Sequence, residues 1–157
     1  MNYILYSAYL PNLTNENSHN QQVFSQLYYS LKTLYDTGYT GNVIFYYDSD
    51  IDIGDFNYKG KYNLLDFQFL IPVRFSYDEY CKSITKGAFH KWNVLNLFYK
   101  QFEFKKVLYV DNDTIFNSDP SIFFYEYSEP RTFYGLQYTS DENQIQIIKA
   151  NINIFDP

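Results

Sequence analysis

Asp111 and Asp113, two carboxylates one residue apart, follow directly on the apolar run Val107-Leu108-Tyr109-Val110 in the stretch KKVLYVDNDTIFNSDP. Such a run reads as a buried strand. Carboxylates are costly to bury without a partner, so the pair belongs where that strand surfaces. Alternation along an extended chain points both carboxylates away from the side taken by Asn112. Two hard oxygen donors at one point suit Mg²⁺ or Mn²⁺, which keep waters and take further ligands from a substrate phosphate. Asp also caps turns, and the spacing alone leaves both uses open. Where strands run parallel in an open α/β sheet, ligands bind beyond their carboxyl ends, and that placement brings the metal use level with the turn cap.

Other metal and phosphate motifs do not fit. A calcium loop of EF-hand type starting at Asp111 needs Gly where Phe116 stands and Glu where Ile122 stands. Asp48, Asp50 and Asp52 in DSDIDIGD have loop spacing, but Gly54 comes one place late and Lys59 stands where Glu is required. That segment reads as a solvated acidic loop. Aspartyl phosphotransferases of the haloacid dehalogenase type also carry D-x-D after a strand, but with Thr two places beyond the second Asp; here Thr114 follows Asp113 directly. There is no Gly-rich phosphate loop.

The elements that must position the pair alternate along the chain. NYILYSAYL (Asn2–Leu10) reads as the first strand. Val23, Leu27, Leu31 and Leu34 recur at helical spacing from about Gln22, with Gly38 as a stop. NVIFYYD (Asn42–Asp48) is a second strand and YNLLDFQFLIP (Tyr62–Pro72) a third. A helical pattern runs from Lys86 to Phe102, with Phe89, Trp92, Leu95, Tyr99 and Phe102 on one face. The fourth strand is Lys106–Val110, and Pro120 opens a short helix in Ser118–Phe124. RTFYGLQY and QIQIIKANINIF (Gln144–Phe155) read as two more strands. Alternating strands and helices give an α/β fold with a mostly parallel sheet flanked by helices.

The chain of 157 residues is 46% hydrophobic and 22% aromatic, which excludes a disordered chain and points to one domain over residues 1–157. A net charge of −6 speaks against a nucleic-acid partner. No apolar run approaches the roughly 20 residues of a membrane span, and the opening MNYILYSAYLPN lacks the basic start of a signal peptide. The single Cys81 excludes an internal disulfide and a cysteine-built zinc site. Asn112-Asp113-Thr114 is a glycosylation sequon inside the motif itself. Both features fit a reducing compartment, and the expected location is cytoplasmic.

The stretch KVLYVDNDTIFNSDPSIFF resembles the D-x-D region of retaining GT-A glycosyltransferases of the glycogenin and lipopolysaccharide galactosyltransferase type, glycosyltransferase family eight. ITKGAFHKWNVLNLF is similar to that family's Lys-bearing helix before the D-x-D strand, and KANINIFDP to its Asn-x-Gly-apolar strand. The resemblance implies a Rossmann-like GT-A fold, a UDP-sugar donor, a carbohydrate or glycoconjugate acceptor, and Asp111 and Asp113 bridging Mn²⁺ (or Mg²⁺) to the diphosphate. It implies donor contacts from Ser7, Ala8 and Tyr9 at the end of the first strand, from Asn112, and from Lys86, with Lys91 competing for the lysine role. Tyr9 would stack on the uracil or serve as an ordinary strand aromatic. His90 reads as a packed or surface histidine and Trp92 as core.

The sequence departs from the family at Lys149-Ala150-Asn151, where Asn-x-Gly is usual; Asn151 tolerates the left-handed backbone that Gly would supply. Family members also continue past this strand to a metal-binding His, whereas His19 and His90 both lie upstream. The chain is therefore expected to be truncated after the donor-binding half and to bind donor better than it turns it over. Two other readings stand beside the transferase: a non-catalytic nucleotide-sugar-binding module and a metal-dependent phosphohydrolase.

Overall fold

The computed structural model describes residues 1–8, 18–48, 57–58, 60–75, 86–126, 132–138 and 145–151, with side chains of 18–20, 48, 57–58, 86–93, 132–138 and 145–151 left aside. It divides after Ser121 into two units. In the first, β1 (Asn2–Ala8), α1 (Ser18–Asp36), β2 (Asn42–Asp48), the two-residue strands β3 (Asn57–Tyr58) and β4 (Tyr62–Asn63), β5 (Leu70–Phe75), α2 (Lys86–Gln101) and β6 (Lys106–Tyr109) follow in order. The second holds α3 (Ile122–Glu126) and the antiparallel pair β7 (Thr132–Tyr138) and β8 (Ile145–Asn151).

Four strands form a parallel sheet in the order β5-β2-β1-β6. The chain moves outward from β1 to β2 to β5, then places β6 on the other side of β1. The strand order thus reverses between β1 and β6. Pro72, which cannot donate to a ladder, sits in the edge strand β5, where it does least harm.

Alternate residues of β1 serve different helices. The Tyr6 hydroxyl meets Ser30 Oγ of α1 at 2.7 Å, whereas the Tyr3 ring packs edge-on against Phe98 of α2 and Phe102 just past its end. Period-two alternation therefore puts α1 and α2 on opposite faces of the sheet. On the α2 face, Leu5, Ile44, Tyr46 and Phe75 form one buried cluster with Val94, Leu97 and Phe98. The contacts of Tyr3 place the carboxyl end of α2 at the amino end of β1, so α2 begins, at Lys86, toward the carboxyl edge of the sheet. Thr37 and Gly38 close α1, Gly38 at φ 81° with its N–H donating to Tyr35 O at 3.0 Å.

Three expected elements come out differently. The single strand Tyr62–Pro72 is instead β4, a one-turn 3₁₀ helix at Leu64–Asp66, and β5, which runs on to Phe75. Asn63 makes the break: its Oδ1 accepts from Leu65 N at 3.2 Å and its Nδ2 donates to Asp66 Oδ1 at 2.7 Å. The helix expected to open at Pro120 starts at Ile122, because Asp119 Oδ1 accepts the Ser121 N–H at 2.9 Å and turns the chain first. Asn151, inside the expected strand Gln144–Phe155, is extended and pairs with Thr132, without the left-handed turn that the family resemblance implies there.

The aromatic core predicts an alkaline limit to stability. Burial raises the phenols of Tyr6 and Tyr46 well above their ordinary value, and burial together with the charge of Asp119 pushes Tyr39 up to about 12. An unfolded phenol titrates near 10. Below that pH both states keep the proton and the contribution is whole. As pH rises from 10 toward 12 the unfolded chain loses protons first, so stability falls. Denaturation midpoints are expected to drop over this window, together with the growth of phenolate absorbance; a midpoint unchanged between about pH 9 and 11.5 would contradict the burial of these hydroxyls.

Candidate functional site

β1 and β6 pair from Asn2↔Lys106 to Leu5↔Tyr109, and Val110 N donates to Leu5 O at 3.0 Å. Beyond that bond the β6 backbone leaves the sheet while β1 continues through Ser7 and Ala8. Asp111 and Asp113 lie in the departing turn, closed by Thr114 N donating to Asp111 O at 3.1 Å. Both aspartates are exposed.

The turn is fastened on two sides. Asn112 Nδ2 donates to the backbone oxygen of Ser7 at 3.1 Å. The hydroxyls of Ser7 and Tyr109 are 2.8 Å apart. On the α1 side, Thr33 Oγ1 accepts from Phe116 N at 3.2 Å and itself donates to Ser30 O at 2.9 Å. An open groove of about 310 Å³ follows the turn there, lined by Thr33, Asp36, Thr37, Phe116 and Asn117.

Burial, the larger influence, and the neighbouring Asp111 charge push the Tyr109 phenol up to about 12, against a lowering by its bond to Ser7. Tyr109 is thus a neutral hydroxyl beside a carboxylate at physiological pH. Among the described residues no group of three or more His, Cys, Asp or Glu stands ready to hold a metal. The turn itself presents the two exposed carboxylates of Asp111 and Asp113.

Ser7, Ala8, Asp111, Asn112 and Asp113 are brought together at the carboxyl edge, where the strand order reverses. Tyr9 lies outside the described residues. Lys86 and Lys91 belong to the first half of α2, on the backbone that runs from that edge, and their side chains fall outside the description. His90 and Trp92 share that segment. Three supporting residues are not marked by the sequence pattern. Tyr109 looked like one more apolar strand residue, and only the 102-residue reach to Ser7 reveals its role. Thr33 and Ser30 carried a weak signal, as polar residues beside the Leu27, Leu31 and Leu34 stripe of α1.

Neither the protein-family models nor the curated proteins nor the solved structures contain a match to this chain. Function must be argued from the site.

Thr33 gives a local test. Thr33→Val keeps the shape and removes the acceptor of Phe116 N–H. It is expected to cost about 1 kcal/mol in urea denaturation and to raise amide exchange at Phe116 while β1 stays protected. Unchanged exchange at Phe116 would show that this bond does not hold the loop.

Proposed function

We propose that the chain is a GT-A-type nucleotide-sugar-binding domain of a hexosyltransferase, using a UDP-sugar donor with Mn²⁺ or Mg²⁺ and a carbohydrate or glycoconjugate acceptor. One observation carries the reading: the Asp111–Asp113 turn is tethered to Ser7 at the reversal of strand order, beyond the carboxyl ends of β1 and β6. Open α/β sheets place their ligands in that crevice.

The donor set fits the metal. Two exposed carboxylates, with no further cluster of ligating side chains among the described residues, suit a hard divalent cation that completes its shell with water and phosphate oxygens. A closed four-ligand zinc site would need more. A bound cation supplies charge compensation for the diphosphate as the anomeric bond breaks.

The rest is the chain's own work. Asp111 and Asp113 hold the cation end of the donor in place. Ser7 and Ala8, at the end of β1, form the floor beside them, on which the nucleoside rests. Tyr109, protonated, keeps its hydroxyl on Ser7 and adds no charge to a site that already carries two carboxylates. A cytoplasmic location accompanies this reading, on the lone Cys81 and the sequon across the motif. Among the described residues no helix is long and apolar enough to cross a membrane.

The test is a time course of UDP release from a panel of UDP-sugars, with and without simple sugar acceptors, beside phosphate release from simple esters. Acceptor-stimulated UDP release supports the transferase. Binding without release supports the non-catalytic module, and ester hydrolysis without UDP-sugar binding supports the phosphohydrolase.

A further inference from the structure

A parallel ladder repeats every second residue on each strand. After Val110 N has donated to Leu5 O, the next donor to Ser7 O would be the backbone N–H of Asn112. The side-chain nitrogen of the same residue takes that place, at 3.1 Å. Asn112 therefore continues the ladder with its side chain and frees its backbone to turn. That substitution lets the chain bend between Asp111 and Thr114 without losing register against β1.

The arrangement has a cost. Asn112 Oδ1 is buried and has no hydrogen-bond partner among the described residues. A buried acceptor left unpaired is destabilising, and such groups persist mainly where they serve something other than stability. The carboxamide that donates to Ser7 O brings this oxygen with it, so the tether carries an unpaired acceptor.

Building on the metal-binding reading of Asp111 and Asp113, we infer that Asn112 is the positioning residue for that pair. Its amide fixes the turn to Ser7, and so sets where the two flanking carboxylates stand before any cation arrives. Groups that orient metal ligands in this way typically change affinity by about 10–100-fold when removed. In place of the donor contact that the family resemblance implies for Asn112, the side chain acts through its neighbours.

The experiment is Mn²⁺ binding in the presence of UDP, read by the electron paramagnetic resonance of free Mn²⁺, on the parent, Asn112→Ala, Asn112→Leu and Asp111→Ala. Urea midpoints are measured without metal. Leu keeps the bulk of Asn and removes both the tether and the orphan oxygen. Both Asn112 variants are expected to bind Mn²⁺ about 10-fold or more weakly, with urea midpoints close to the parent's. Parent-like Mn²⁺ affinity in these variants, with affinity lost in Asp111→Ala, would overturn the positioning role and leave the metal site standing. Loss of the fold in both variants would overturn it as well, since Asn112 would then be a structural residue. A parent that binds no Mn²⁺ would remove the metal site, and the positioning role with it.

Discussion

Asp111→Ala and Asp113→Ala are each expected to lower UDP affinity in the presence of Mn²⁺ by about 100-fold, while uridine affinity changes little. On the proposed metal-binding reading the pair supplies the carboxylates, and no group of three or more His, Cys, Asp or Glu stands among the described residues, so either loss removes half of the charged ligand set. A charge-assisted contact contributes roughly 1.5–3 kcal/mol, and ~2.7 kcal/mol corresponds to the 100-fold change. Folding should be spared. Both side chains are exposed, and the bond that closes the turn uses the Asp111 backbone oxygen, which Ala retains. Calorimetry with UDP and with uridine separates the two cases. An equal loss for both ligands would mean that the substitution disturbed the nucleoside floor and not a diphosphate contact.

Phe98→Ala is expected to have the largest effect on stability. The residue is fully buried on α2. Its ring meets Tyr3 edge-on at 5.5 Å, stacks on Phe102 at 5.2 Å and lies 4.9 Å from Phe104. Truncating a buried Phe to Ala costs about 3–5 kcal/mol, a large share of the roughly 5–15 kcal/mol that holds a typical domain together. The same contacts seat α2 against β1, so the variant should also lose UDP binding at temperatures where the parent is intact. A cost under about 1 kcal/mol in urea denaturation would show that α2 is not anchored through this ring.

The sheet was legible in the sequence where apolar runs were uninterrupted. Asn42–Asp48 and the Lys106–Val110 region are strands because both faces of a parallel sheet are covered, which leaves continuous hydrophobic runs. The α1 stripe of Leu27, Leu31 and Leu34 gave the helix by its period. Tyr62–Pro72 misled because its apolar composition suits a strand, while Asn63 and Asp66 bond to each other and turn the chain locally. Helix formation from Pro120 was overridden in the same way by the side chain of Asp119.

For the candidate site, the motif itself could be read and its setting could not. Asp111 and Asp113 are marked by their place after a strand. Their tether depends on strand order, since it requires β6 to lie beside β1 and not beyond β5. Strict alternation up to Asp113 sets Asn112 on the side opposite the two carboxylates, and the family resemblance makes it a donor contact; neither shows its bond to Ser7. The backbone leaves the strand one step earlier, and the Asn112 side chain stays behind in the ladder.

The central claim is that this turn binds a nucleoside diphosphate through a divalent cation. Calorimetric titration of the chain with UDP, in Mn²⁺ and again in excess chelator, tests it most directly. At least tenfold tighter binding in Mn²⁺ is predicted; equal affinity under both conditions, or no binding under either, would contradict it.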